Sequence, residues 1–181
     1  ITGGYDYDNN AGNAITQTYQ ERYLKDGDQI INSFAESNSQ SQKHAVRMNY
    51  NKSLDYNKRF GINATGTTGN SFSENTSGSV INTREGIAVS DRNGNSQTNA
   101  DSKSFNTSVN YTNFDSENPL KAVDANASFS RSENTSDRNE NTVYNFYNAN
   151  GTQNTNIKRH SVKQTGITSF NSTLNYNGLK R

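Results

Sequence analysis

The sequence predicts an all-β fold: antiparallel strands of a transmembrane outer-membrane β-barrel, about six strands with short periplasmic turns and long extracellular loops. Three observations predict it. Apolar and polar residues alternate in six segments, the links between these segments alternate between short and long, and apolar residues are scarce. Apolar residues at helical spacing are nearly absent, so period two is the main signal along the chain.

The composition is polar but rich in aromatic residues. Asn, Ser and Thr number 31, 22 and 18 among 181 residues, and hydrophobic residues make up 28%. A typical globular domain has roughly 45–50% apolar residues. The 10 Tyr and 8 Phe are nevertheless too many for a disordered chain, which is usually poor in aromatics. A compact soluble enzyme would bury a larger core, so we expect a protein that is not an enzyme.

Charge and cysteine content exclude several classes of site. The 18 basic and 17 acidic residues leave a net charge of +1, which predicts no nucleic-acid partner. The chain has no Cys, so disulfides, thiolate zinc sites and cysteine nucleophiles are impossible. No run approaches the roughly 20 apolar residues of a membrane helix. No cofactor is predicted.

The six alternating segments lie near residues 1–9, 44–54, 59–68, 105–113, 121–131 and 166–176. Successive side chains of a strand point to opposite faces, so each segment has one apolar and one polar face. The charged residues Arg47 and Asp124 fall on the polar face. We interpret residues 1–181 as a single segment of a β-barrel domain.

The links between the strands are of two lengths, and these alternate. One short link follows Leu54, a second spans residues 114–121 and a third begins at Asn177. The long links cover residues 10–43, 69–104 and 132–165. Turn-forming residues occur in the long links at 25–28, a predicted hairpin tip, and at 93–96 and 148–151. Outer-membrane barrels sort short turns and long loops to opposite ends, and soluble sandwiches have no reason to do so.

A weak repeat marks the residues that precede each short link. Residues 48–51, 109–112 and 174–177 share the order apolar, Asn, Tyr, polar. Tyr50, Tyr111 and Tyr176 are therefore predicted to form an interfacial aromatic girdle, in which the ring faces lipid and the hydroxyl stays hydrated. The alternative is that these tyrosines are ordinary strand residues.

Other motifs offer little chemistry. His44 and His160 each lie between basic residues, but a metal site needs further converging ligands, so no metal is predicted. Residues 91–95 resemble the start of a calcium loop without its glycine and distal glutamate in place, which favours a turn. No nucleophile and base pair is recognisable, and no catalytic residue is predicted.

An aromatic group in the third long link is the candidate ligand-contact loop. Tyr144, Phe146 and Tyr147 lie beside Asn148 and Asn150. Aromatic rings with amide neighbours suit sugar or peptide recognition, and they equally suit ordinary packing within a loop.

Several stretches resemble a known family. These are residues 5–10, 19–27 with 44–55, 60–65 and 119–130. The chain resembles the barrel of Bacteroidetes-type outer-membrane proteins, the TonB-dependent receptors and their relatives. The resemblance implies a location in the cell outer membrane, a barrel of about 22 strands with a plug, and nutrient capture and uptake. It also implies outer-membrane lipid as a partner, and TonB and a surface lipoprotein as partners through the full-length protein.

The chain departs from that family in lacking a recognisable plug, TonB-contacting segment or closing strand. Six strands are too few to close a barrel, because the smallest type has about eight. We therefore expect an internal fragment that does not fold alone. The alternative is a secreted or surface-anchored Asn/Ser/Thr-rich β-sheet adhesin or extracellular fibre protein.

Overall fold

Six long β-strands make up the computed structural model, which describes residues 1–25, 27–114 and 121–178. The strands are β1 (Thr2–Arg22), β2 (Gln29–Asp55), β3 (Lys58–Thr83), β4 (Ala88–Phe114), β5 (Ala122–Asn148) and β6 (Gly151–Asn177). They form one antiparallel sheet in the order β1-β2-β3-β4-β5-β6, so every strand pairs with its neighbours in sequence. The prediction of an all-β chain with six antiparallel strands is confirmed; the sheet is open, with β1 and β6 at its edges.

The pairing register is almost free of irregularities. Ladders β1–β2, β4–β5 and β5–β6 run without a bulge, and the two register shifts, at Ser53/Asp55 and Ile81/Asn82, lie beside turns. Because directly paired residues point to the same side of a sheet, one face can be followed across all six strands. We call the face with Tyr50, Tyr111 and Tyr176 the apolar face, and the face with Arg47 and Asp124 the polar face.

The sheet is a single layer with almost no hydrophobic core. Among the described residues only Ile31 and Ala45 are buried hydrophobic side chains, and both lie on the polar face. Many large apolar side chains are exposed, including Tyr5, Phe170 and Leu174. Backbone hydrogen bonds between strands therefore hold the structure together, and the exposed apolar surface has no cover within the described residues.

The turns are tight, and several predicted positions are confirmed. Tyr56 and Asn57 join β2 to β3, Ala149 and Asn150 join β5 to β6, and β1 and β2 are joined around the predicted tip at residues 25–28, of which residue 26 lies outside the described residues. Of the predicted link 114–121, residues 115–120 lie outside the described residues. The prediction of a turn at 93–96 is wrong, because these residues pair with β3 and β5 inside β4.

The true connection between β3 and β4 is a G1-bulge hairpin. The amide of Gly86 donates to the carbonyl of Thr83 at 2.9 Å, and the amide of Thr83 donates to the carbonyl of Ile87 at 2.8 Å. Gly86 has φ of +86°, the left-handed conformation that follows the type I turn in this loop. A glycine is favoured there because a Cβ destabilises that conformation.

The prediction of long loops is wrong. Residues 10–43, 69–104 and 132–165 form the outer parts of three hairpins, in which the strands continue to tips at residues 23–28, 84–87 and 149–150. Likewise, the predicted turn at 91–95 is strand, and His44 and His160 lie within β2 and β6.

The outer strands escaped prediction because neither of their faces is apolar. Ser alternates with Asn or Gln at residues 37–42, and with Phe and Glu at 71–74. Ser, Asn and Gln all count as polar when a sequence is divided into apolar and polar residues, so this period-two pattern does not show as an alternation of the two classes. Strand pairing needs only backbone donors and acceptors, so the hydrogen-bonded ladder of the inner strand segments continues into the outer segments.

Replacing Gly86 with Ala should destabilise the sheet by about 1–2 kcal/mol, because the new Cβ opposes the left-handed conformation. Urea-induced loss of the β signal in circular dichroism measures the effect. Gly66→Ala is the matched control, since a Cβ there meets nothing within 4 Å and φ is ordinary. Equal stability of the two variants would contradict the assigned turn.

Candidate functional site: a slanted apolar band

The three tyrosines of the predicted girdle lie on one face near the short-turn end of the sheet. Tyr50 pairs with Ile62 of β3, Tyr111 with Phe60 of β3, and Tyr176 with Val123 of β5. The rings of Tyr50 and Phe60 meet edge to face with centroids 6.4 Å apart. The tyrosines thus form the inner edge of an apolar surface; their place at a lipid interface stays a prediction.

An apolar band extends outward from that edge. Aromatic residues mark its outer edge on four strands: Tyr7 on β1, Phe105 on β4, Phe129 on β5 and Phe170 on β6. On β2 and β3 the outer edge lies at Val46 and Gly66. Among the described residues, the apolar and aromatic members of the band are Tyr5, Tyr7, Val46, Met48, Tyr50, Phe60, Ile62, Ala64, Phe105, Val109, Tyr111, Val123, Ala125, Ala127, Phe129, Phe170, Leu174 and Tyr176. Its only other members are Gly3, Gly66, Thr107 and Ser172.

The band is slanted relative to the ladder rows, which are the lines of directly paired residues that run across the sheet from strand to strand. Tyr50 shares a row with Val109, two residues short of Tyr111, and Tyr111 shares a row with Leu174, two residues short of Tyr176. The inner edge therefore moves two residues for every two strands. Taking about 3.3 Å per residue and about 4.8 Å per strand, this edge makes an angle of about 35° with the rows.

The outer edge slants in the same direction. Tyr7 shares a row with Lys103, two residues short of Phe105, and Phe105 shares a row with Thr168, two residues short of Phe170. The outer edge makes an angle of about 30° with the rows. A band that spans four to six residues of each strand thus crosses the sheet obliquely, and each of its edges is aromatic on four of the six strands.

The opposite face carries small polar side chains over the same rows. The guanidinium of Arg47 contacts the Asp6 carboxylate at 2.8 Å, and hydroxyl pairs join Thr67 to Ser104 and Ser130 to Ser169, each at 2.6 Å. Side chains at these positions are mostly Ser, Thr, Asn and Gly. The side chains of the two faces therefore differ in size as well as in polarity.

The candidate ligand-contact residues do not form one cluster in a loop. Tyr144, Phe146 and Tyr147 lie in β5 beside its tip, and strand alternation places Tyr147 on the opposite face from the other two. The rings of Tyr144 and Phe146 are parallel within 6° with centroids 6.4 Å apart, and the guanidinium of Arg92 lies 5.9 Å from the Tyr144 centroid. Their contact with a ligand stays a prediction.

Tyr147 belongs to a separate network on the apolar face. Its hydroxyl donates to Asp91 at 2.5 Å, and the Asn145 amide donates to the other oxygen of Asp91 at 2.8 Å. The hydrogen bond to Asp91 raises the pKa of Tyr147 above its ordinary value. Asp91, which was predicted in a turn, thus accepts two hydrogen bonds from side chains of β5 and links β4 to that strand.

The first hairpin tip holds a carboxylate between two phenols that sequence reasoning missed. Tyr19 donates to one oxygen of Glu21 at 2.6 Å and Tyr23 to the other at 2.7 Å. These bonds lower the pKa of Glu21 and raise the pKa values of both tyrosines. The spacing at residues 19, 21 and 23 would reveal the trio once the segment is known to be a strand.

The two histidines contact neighbouring side chains. Nδ1 of His44 lies 2.6 Å from the Tyr5 hydroxyl, and its ring is 4.9 Å from the Tyr7 ring. Nδ1 of His160 lies 2.7 Å from the Asn139 side-chain oxygen, beside a shallow cavity of about 550 Å³. The described residues contain no group of three or more His, Cys, Asp or Glu side chains arranged to hold a metal ion.

Comparisons with known proteins provide no identification. No family model matches the chain, and no match was found among curated proteins. A solved structure titled "Pore forming protein" aligns with 6% identity over 84% of this chain and 96% of its own, with a TM-score of 0.16. Similarity at that level carries no argument about fold or function. Within the described part of the chain, no helix is long and apolar enough to span a membrane.

Glu21→Gln should lower the pKa values of Tyr19 and Tyr23 toward the ordinary tyrosine value, because the acceptor loses its charge. The wild-type phenols keep their protons to higher pH than a free tyrosine, and Glu21 keeps its charge to lower pH. NMR of ring-labelled tyrosine during a pH titration measures both phenols. Glu85→Gln, which removes a charge from the neighbouring tip, should leave them unchanged; a similar change in both variants would refute the assignment.

Proposed function

We propose that this sheet is part of the wall of a β-barrel in the cell outer membrane, and that the barrel resembles TonB-dependent receptors in capturing and importing nutrients. The observation that carries the proposal is the slanted apolar band. Its apolar side chains would face lipid, and the polar face would line the lumen. No catalytic step is assigned to these residues.

The slant supports the proposal because barrel strands cross the membrane obliquely. Strands of outer-membrane barrels tilt by roughly 35–45° from the barrel axis. If the band lies in the membrane plane, its slant of about 30–35° is the tilt of the strands. A soluble sandwich buries its apolar faces against another sheet and has no plane that would impose an oblique band with aromatic edges.

The width of the band also fits a bilayer. On β4 the band runs from Phe105 to Tyr111 and on β6 from Phe170 to Tyr176, six residues or about 20 Å along the strand. With a strand tilt of about 35°, this length corresponds to about 16 Å across the membrane. Tyrosine and phenylalanine rings at both edges extend this surface, toward the apolar height of about 25 Å in such barrels. Aromatic residues at both edges are typical of barrel girdles.

The small side chains of the polar face support its place inside a barrel. When a sheet curves, side chains on the concave face converge and those on the convex face diverge. The Ser, Thr and Gly residues of the polar face suit the concave side, and the rings and long side chains of the apolar face suit the convex side. Since closure needs at least about eight strands, the free edges of β1 and β6 would pair with further strands.

The long hairpins would project far beyond the membrane. From Phe105 to the start of β4 at Ala88 the strand covers 17 residues, which corresponds to about 45 Å above the band after correction for tilt. Nutrient capture would take place at this outer wall, where the Tyr144 and Phe146 rings lie near a tip. Contacts with TonB and a surface lipoprotein would involve the full-length protein.

Fractionation of the protein expressed in its native cell provides the first test. We expect it in outer membranes, resistant to alkaline extraction, with an electrophoretic mobility in SDS that changes on boiling because a closed barrel resists SDS until heated. A soluble protein without this heat-dependent shift would refute the proposal and favour the secreted adhesin.

Lipid exposure of the two faces can be tested directly because the chain lacks Cys. A fluorophore on Val109→Cys should be quenched by brominated lipid chains, and one on Asn110→Cys should not, because these neighbours point to opposite faces of β4. Equal quenching of the two labels would exclude a lipid-facing band.

The slant can be tested with the same fluorophore attached at two other positions. Tyr50 and Ser172 share a ladder row, yet Ser172 lies inside the band, next to its outer-edge residue Phe170, and Tyr50 lies at the inner edge. Quenchers placed at different depths along the lipid chain should therefore report a deeper label at 172 than at 50. Equal depths would show that the strands stand upright.

A further inference from the structure

Phe72 is an aromatic residue enclosed by polar side chains in the outer half of the sheet. It lies on the apolar face of β3, six residues beyond the outer edge of the band, or about 20 Å along the strand. It pairs with Gln40 on β2 and with Asn99 on β4, and its neighbours on the same face of β3 are Asn70 and Glu74. All four of these neighbours are amides or carboxylates.

The diagonal positions around Phe72 complete the same pattern. Asn38 and Gln42 occupy them on β2, and Gln97 and Asp101 occupy them on β4. Diagonal neighbours of this kind are within reach of long and aromatic side chains. Each of the eight same-face positions around the ring therefore carries an amide or a carboxylate, and none is apolar or basic. We call Phe72 and these eight residues the ring site.

The ring site is open to solvent. Phe72 is 38% exposed and borders a shallow cavity of about 380 Å³, which Asp101 and amides of β2 and β4 also line. Among the described residues, one side-chain hydrogen bond joins two members of the site, from the Gln97 amide to Glu74 at 3.1 Å. The other amide groups can therefore contact a ligand in the cavity.

Phe34, the other phenylalanine on the outer part of the apolar face, has a structural role instead. Its ring lies over Gly78 of β3, where an added Cβ would collide with it. A ring in this position shields the backbone of a glycine on the neighbouring strand. Phe72 has no glycine among its eight neighbours, so the same role does not account for it.

We propose that the ring site binds a neutral hexopyranose ring of a saccharide. Such a sugar presents C–H groups on one face, which would pack on the electron-rich face of the Phe72 ring. Amides donate and accept hydrogen bonds, as sugar hydroxyls do, and the Asp101 carboxylate accepts stronger, charge-assisted bonds. This binding goes beyond the proposed transport, because the site lies outside the band and requires no membrane position.

The charges of the ring site favour a neutral sugar. Glu74 and Asp101 are its only charged members, and both are acidic. On β4, the first basic side chain of this face toward the band is Lys103, beyond Asp101. A uronic acid would bring its carboxylate close to these two carboxylates with no cation among the eight neighbours, and like charges repel.

Saturation-transfer NMR with methyl β-galactoside, methyl β-glucoside and methyl α-mannoside tests the inference. The protein is purified from the cell fraction that contains it, in a detergent without a sugar headgroup if that fraction is a membrane. We expect at least one of the three glycosides to receive saturation, most strongly at the C–H protons of one face of the sugar. Methyl β-galacturonoside should bind more weakly.

Two pairs of variants locate the binding. Phe72→Leu should weaken binding of the glycoside about tenfold, because leucine stays apolar but lacks the aromatic face. Phe34→Leu makes the same change outside the ring site and should leave binding unchanged. Asn99→Ala should also weaken binding, whereas Asn141→Ala, which removes an exposed amide of the same face on β5, should not. Circular dichroism checks that the variants keep the sheet, and the asparagine pair decides if a phenylalanine variant does not.

Absence of saturation transfer to all three neutral glycosides would overturn the inference. Equal losses in the two members of a variant pair, or a galacturonoside that binds as tightly as the neutral sugars, would do so as well. None of these results affects the proposed barrel, whose membrane location is tested separately by fractionation. Sugar binding by a soluble protein would support the ring site and refute the barrel.

Discussion

The backbone ladder between strands is the interaction on which the rest of this structure depends. With only Ile31 and Ala45 as buried hydrophobic side chains among the described residues, packing contributes little to holding the strands together. Five consecutive antiparallel pairings instead fix which side chains share a face. The apolar band and its aromatic edges exist only because that register continues across the sheet without a shift between its turns.

A ladder alone leaves a large apolar surface in contact with solvent, which is unfavourable for an isolated sheet. The band therefore needs a cover, and its shape limits what the cover can be. In the proposed barrel, this cover would be a lipid layer whose flat boundary the oblique band follows. The small hydroxyl side chains on the other face are consistent with the same arrangement, because they allow the sheet to curve away from the lipid.

The inner half of each strand was predictable from sequence, and the outer half was not. Around Val109 and Val123, apolar residues alternate with polar ones, so hydropathy shows the period directly. Around Ser39 and Gln40 the alternation is between hydroxyl and amide side chains, which both count as polar, so no apolar period appears. The three tyrosines could be named because each precedes a link that the sequence predicts to be short. The Glu21 carboxylate between two phenols could not, since its segment was assigned to a loop and its side chains had no assigned faces.

The unbroken register also limits how the gene for such a sheet can change. An insertion of one codon within β5 would exchange the faces of every residue from that point to the next turn, and would expose Arg or Asn where rings now lie. Only length changes in multiples of two residues preserve the faces, and both arms of a hairpin must change together to keep their pairing. Variation among descendants of this chain should therefore accumulate at the tips or appear as symmetric additions to hairpins, so that the height of the outer wall changes in steps while the band stays fixed.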